Sequence, residues 1–153
     1  SNLQMKSVLR QELIDYYDFL VAYQNLLRDG GAFASFDVKS TDENTRIENW
    51  PASRGAVAVS GKKLADREVL HLLNFSDANS MEWRDTNGTQ KEPVKITDLE
   101  ITVNVSSPVK NAWFAYPDIA GGVYRPVEFN QSGTELTLTL PSLKYWDMLV
   151  LEY

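Results

Sequence analysis

Two hydrophobic periods divide this chain, and the change falls at Gly30 and Gly31. Before it, in "LQMKSVLRQELIDYYDFLVAYQNLLRDGG", Leu9, Leu13, Tyr16, Leu20, Tyr23 and Leu27 recur at spacings of four and three. That spacing is one face of an α-helix. The glycine pair supplies the positive φ of a helix C-cap, and Arg28 in the last turn suits the helix dipole. A helix of about six to seven turns is predicted, at 1.5 Å rise per residue. It carries more apolar surface than one partner requires. Phe19 and Leu26 flank the stripe, and Ile14 and Val21 lie well around from it. An amphipathic helix on a small domain needs a stripe of only about 100°. Such a helix either sits deep in its own fold or bridges this fold and a further domain.

After Gly31 the period is two. "AFASFDV", "GAVAVSG", "REVLHLLNFSD", "LEITVNVS", "VKNAWFAYPD", the two arms of "VYRPVEFNQSGTELTLTLPSL" and "YWDMLVLEY" read as seven or eight short strands. "GAVAVSG" and "REVLHLLNFSD" are expected to join around Gly61 to Asp66. Pro117 is expected to stop its strand, and "NQSG" to form the hairpin turn. Leu99, Ile101, Val103 and Val105 alternate with Glu100, Thr102 and Asn104, as do Leu136, Leu138 and Leu140 with Glu135, Thr137 and Thr139. The last strand breaks the alternation. Trp146, Met148 and Val150 lie on one face, Leu149, Leu151 and Tyr153 on the other, so it must be covered on both sides. The predicted architecture is mainly β: an antiparallel Greek-key sandwich over residues 32–153, preceded by the helix of residues 1–31.

The length, 153 residues with 43% hydrophobic and 24% charged, suits one globular domain. The net charge of -6 argues against nucleic acid or an anionic membrane as partner and leaves a neutral partner open. With no cysteine there is no disulfide framework and no thiolate chemistry. No apolar run is long enough to span a membrane as a helix.

Catalytic signatures are sparse. His71 is the only histidine and sits in the apolar "VLHLLNF", where a satisfied structural role is expected. There is no nucleophile elbow, and no metal or cofactor site is expected. "DTNG" at residues 85–88 lacks the further acidic positions of a calcium loop and reads as a turn. Four glycosylation sequons begin at Asn74, Asn87, Asn104 and Asn130; Asn74 lies on a strand expected to be buried, which disfavours a glycan there. Of four tryptophans, Trp113 and Trp146 fall in strand patterns and are expected in the core. Trp50 in "IENWPASRG" and Trp83 in "SMEWRDTNG" fall in loops, where each either lids a core or offers a face for stacking on sugar, with Asn49 and Arg54 as polar neighbours of Trp50.

"VLRQELIDYYDFLVAYQNLLRDG", "VLHLLNFSD", "MEWRDTNGTQKEP" and "LPSLKYWDMLVLE" together resemble the C-terminal part of family 66 glycoside hydrolases, bacterial endo-dextranases and cycloisomaltooligosaccharide glucanotransferases. The resemblance runs over almost the whole chain; "KSTDENTRIENWPASRG" matches no family pattern. It implies a (β/α)₈ barrel followed by a C-terminal sandwich, with residues 1–31 as the end of that barrel, its last helix. The catalytic aspartate and glutamate of the family belong to barrel strands, so no carboxylate here inherits a catalytic role. The implied function is a non-catalytic domain of a secreted bacterial dextran-processing enzyme, extracellular, periplasmic or cell-surface, with the barrel as intramolecular partner. The alternatives are a carbohydrate-binding module holding α-glucan by Trp50 or Trp83, and a free-standing interaction domain.

Overall fold

The computed structural model describes residues 34–50, 52–76, 94–115 and 125–153. The expected helix, Trp83, the "DTNG" turn and the stop at Pro117 lie outside the described residues. Among the described residues ten strands make two sheets: β1 (Val38–Ser40), β2 (Ile47–Asn49), β3 (Val57–Lys63), β4 (Arg67–Asn74), β5 (Ile96–Asn104), β6 (Asn111–Ala115), β7 (Arg125–Pro126), β8 (Phe129–Ser132), β9 (Glu135–Leu143) and β10 (Trp146–Glu152). One sheet has the order β1-β5-β9-β8, the other β2-β3-β4-β10-β6-β7. All pairings are antiparallel except β2 with β3. The chain changes sheet repeatedly, after β1, β4, β5, β7 and β9, and does so through only two residues after β7 and after β9.

The alternating residues do what their period dictates. Leu99, Ile101 and Val103 from β5 and Leu136, Leu138 and Leu140 from β9 meet Val57, Val59, Leu70, Leu72, Phe114, Leu149 and Leu151 of the facing sheet in one core. β10 lies in the middle of its sheet, between β4 and β6, and Trp146 through Leu151 are all buried. Its other face carries a second cluster: Val69, Ala115, Trp146, Met148 and Val150, flanked by Leu73, Trp113 and Tyr145. The middle of the six-stranded sheet, around β4, β10 and β6, is therefore apolar on both faces, which is what the doubled pattern of the C-terminal strand demands.

Several expectations are corrected. Gly61 is not in the β3–β4 turn but inside β3, opposite Leu70. The turn comes later, closed by the Leu64 amide donating to the Arg67 carbonyl at 2.8 Å. Likewise the β8–β9 turn follows "NQS": Ser132 pairs with Glu135, and Gly133 takes φ 60° at the first of the two loop positions, where a type II′ turn needs glycine. The expected single arm "VYRPVEFNQ" is split. β7 pairs with β6 in one sheet and β8 with β9 in the other, so the chain crosses between sheets around Val127. β2 has no alternating apolar run to announce it; it is a short edge strand held by its parallel pairing to β3. Trp113 is half-buried rather than core, its indole Nε1–H donating to Glu152 Oε1 at 2.7 Å.

Candidate functional site

The tryptophan loop follows β2, and charged side chains brace it from outside. The Glu48 carboxylate accepts both the Ser53 amide (Oε2, 3.0 Å) and the Ser53 hydroxyl (Oε1, 2.6 Å). Those two bonds hold its carboxyl below the usual range, with Arg46 contributing less. Arg46 Nη2 donates to the Arg54 carbonyl at 2.9 Å, and Gly55 turns the chain at φ 89°. On the sheet side the Trp50 amide donates to the Val59 carbonyl at 2.7 Å. Asn49 was expected to offer polar groups outward, but its amide is spent within the fold: Oδ1 accepts the Phe36 amide at 2.9 Å and Nδ2 donates to the Phe36 carbonyl at 2.8 Å. A side-chain amide can satisfy a backbone donor and acceptor together, and here it pins the stretch before β1 to β2.

Trp50 is 46% exposed, and its ring centroid lies 5.8 Å from that of Phe75, with planes tilted by 36°. It is partly a lid on Phe75, yet close to half of the side chain faces solvent. Beside it opens a concavity of about 470 Å³ lined by Ala34, Ser35, Asn49, Trp50, Val59 and Ser60. The bracing by Glu48, Ser53 and Arg46 was not read from the sequence. The only sign of it was an acidic residue followed five positions on by serine.

His71 has the structural role expected of it. The Trp146 indole N–H donates to His71 Nδ1 at 3.0 Å, and the rings lie 5.3 Å apart. Burial, then the positive charge of Lys62, lowers its pKa to about 4. An unfolded histidine titrates near 6.5, so between pH 6.5 and 4 the unfolded chain binds the extra proton. The resulting stability is fully present above pH 6.5 and lost as pH falls towards 4. The expected loss is roughly 2–3 kcal/mol. Urea unfolding at pH 7 and pH 4.5 checks this, because His71→Gln should remove most of the difference. An equal acid loss in wild type and variant would assign the effect to carboxylates instead.

Among the described residues no group of histidine, aspartate or glutamate side chains is arranged to hold a metal. Among them, too, no helix is long and apolar enough to cross a membrane.

The family model for glycosyl hydrolase family 66 matches residues 1–150. The chain belongs to glycosyl hydrolase family 66. Two cycloisomaltooligosaccharide glucanotransferases of Niallia circulans are similar over 97% of this chain, at 29% and 26% identity. The chain spans 16% of the length of each, so it matches a minor part of those enzymes. A Paenibacillus sp. cycloisomaltooligosaccharide glucanotransferase, solved with cycloisomaltoheptaose, superposes with a TM-score of 0.79 at 25% identity. That match covers 94% of this chain and 21% of the other. The mainly β fold is thus that of one region of a family 66 glucanotransferase.

Proposed function

We propose that this chain is a non-catalytic accessory region of a secreted bacterial enzyme that processes α-1,6-glucan, and that it stabilises the catalytic barrel. In this reading residues 1–31 supply the end of the barrel and residues 32–153 the sandwich. The observation that carries it is the second apolar face of the six-stranded sheet. A self-contained binding sandwich buries one face of each sheet and wets the other. Here Val69, Trp146, Met148 and Val150 are buried on the outer face as well. Each such side chain contributes about 1.5–3 kcal/mol on burial. Baring four of them would cost roughly 6–12 kcal/mol, comparable with the whole stability of a domain. The small share of the relatives that the chain spans supports the same reading.

Comparing the full chain with one that begins at Ala32 tests the proposal. The shortened chain should bind a hydrophobic dye strongly, self-associate and melt at a lower temperature. If it stays monomeric with the same melting temperature, the outer face is covered without residues 1–31 and the proposal fails. Neither version should release reducing ends from dextran; release abolished by mutating one of this chain's own carboxylates would also overturn it.

A further inference from the structure

We propose that Trp50 and the concavity beside it form a subsite for one neutral hexopyranose unit of a glucan chain. A single exposed aromatic is ordinary on a protein surface and requires no ligand. What separates Trp50 from that case is the bracing around it. The Glu48–Ser53 and Arg46–Arg54 bonds fix its loop from outside, and the Trp50–Val59 and Asn49–Phe36 bonds fix it to the sheet. These bonds hold the backbone on either side of Trp50, so stacking on the indole forfeits less conformational entropy. An exposed indole on a backbone held this way presents a flat apolar surface, matched by the C–H face of a pyranose ring.

The concavity has the mixed lining such a ring requires. Ala34 and the Trp50 indole are apolar, while Ser35 and Ser60 carry hydroxyls that can donate to or accept from sugar hydroxyls. Its volume of about 470 Å³ falls within the range of small-molecule sites, about 300–1,000 Å³. With Asn49 occupied by Phe36, few fixed hydrogen bonds are on offer, so the site is weak and serves by repetition along a polymer. The net charge of -6 disfavours a polyanionic glycan and leaves a neutral one. The choice of α-1,6-glucan rests on the function proposed above; the choice of a pyranose ring does not.

The test is a titration of the full 153-residue chain with linear isomaltooligosaccharides, and separately with cello-oligosaccharides, followed by tryptophan fluorescence and amide NMR shifts. The expected dissociation constant is about 1 mM, the scale of a single stacked ring. Shifts should map to Ser35, Asn49, Trp50 and Ser60. Trp50→Ala should weaken binding at least tenfold, Trp50→Phe less, and neither should disturb the amide spectrum of β10, which reports the fold. Binding of either sugar with that dependence supports the subsite; preference for the cello-series would then count against the α-1,6 reading alone. No saturable shift at 10 mM of either sugar, or binding indifferent to Trp50→Ala, overturns the subsite while leaving the accessory-domain reading intact.

Discussion

Gly61→Ala is expected to cost about 3–4 kcal/mol, the upper end of what overpacking does. The residue pairs with Leu70 inside β3, on the side that faces the core. A Cβ built there would land on the backbone carbonyl oxygen of Val69 and come within 3.0 Å of the Phe36 ring. The ring could shift, but the carbonyl could not. Val69 belongs to β4, which is tied to β3 on one side and β10 on the other, and its side chain is packed in the outer cluster. Relief would have to come from moving two central strands apart, and close-packed interiors transmit rather than absorb such strain. Gly133→Ala provides the contrast. Gly133 needs its glycine for φ 60°, but a Cβ there meets nothing within 4 Å. Its cost should stay near 1–2 kcal/mol, the penalty for a left-handed residue. Urea unfolding of both variants measures the difference. A Gly61→Ala loss no larger than that of Gly133→Ala would mean the β3–β4 approach is looser than described.

The same glycine marks what sequence reading can and cannot reach. Alternation located β5, β9 and β10 because a strand buried on one or both faces prints its environment directly into residue choice. Leu99, Ile101 and Val103 are all within 3% of fully buried, and the doubled apolar pattern of β10 announced a sheet packed on both sides. Glycine prints two signals that look alike. It marks a turn, or a place where backbones approach too closely for a side chain, and Gly61 is the second kind. Two of the short edge strands leave no pattern at all. β2 has one apolar residue in three, and β7 is an arginine and a proline. The candidate site was half legible. A tryptophan in a polar loop is visible as such, but whether its neighbours point at a ligand or at the backbone depends on contacts thirteen residues away, as Asn49 and Phe36 demonstrate.

Asn74→Ala is expected to cost about 3–4 kcal/mol, although it removes only one small polar side chain. Asn74 ends β4 and is 5% exposed. Its Nδ2 donates to the Val94 carbonyl at 2.9 Å, the Lys144 carbonyl at 2.9 Å and the Leu143 carbonyl at 3.3 Å. Its Oδ1 accepts the Ser76 hydroxyl at 2.6 Å and the Ser76 amide at 3.1 Å. One amide thereby joins the approach to β5, the β9–β10 connection and the exit from β4, at the end of the sandwich where the Ile96–Leu143 and Leu73–Trp146 pairs stop. Truncation would strip the Leu143 carbonyl of a partner where water has little access and the part-buried Val94 and Lys144 carbonyls of theirs, and each group left orphaned costs about 1–3 kcal/mol. Asn74→Asp separates hydrogen bonding from volume. It is nearly isosteric, but an ionised carboxylate cannot donate and would face the same carbonyls. If donation is what matters, Asn74→Asp should be at least as damaging as Asn74→Ala at pH 7. It should recover in part at acid pH, where a protonated carboxyl regains one O–H donor. A mild Asn74→Asp beside a severe Asn74→Ala would instead assign the loss to the cavity. The same geometry decides the sequon at Asn74. The nitrogen that would carry a glycan is buried and already donated, and the Ser76 hydroxyl is bonded to the Asn74 amide oxygen. In the folded chain Asn74 is therefore closed to glycosylation, as its strand position suggested, and mass spectrometry of chain expressed in a glycosylating host should find it bare whenever the chain folds before modification.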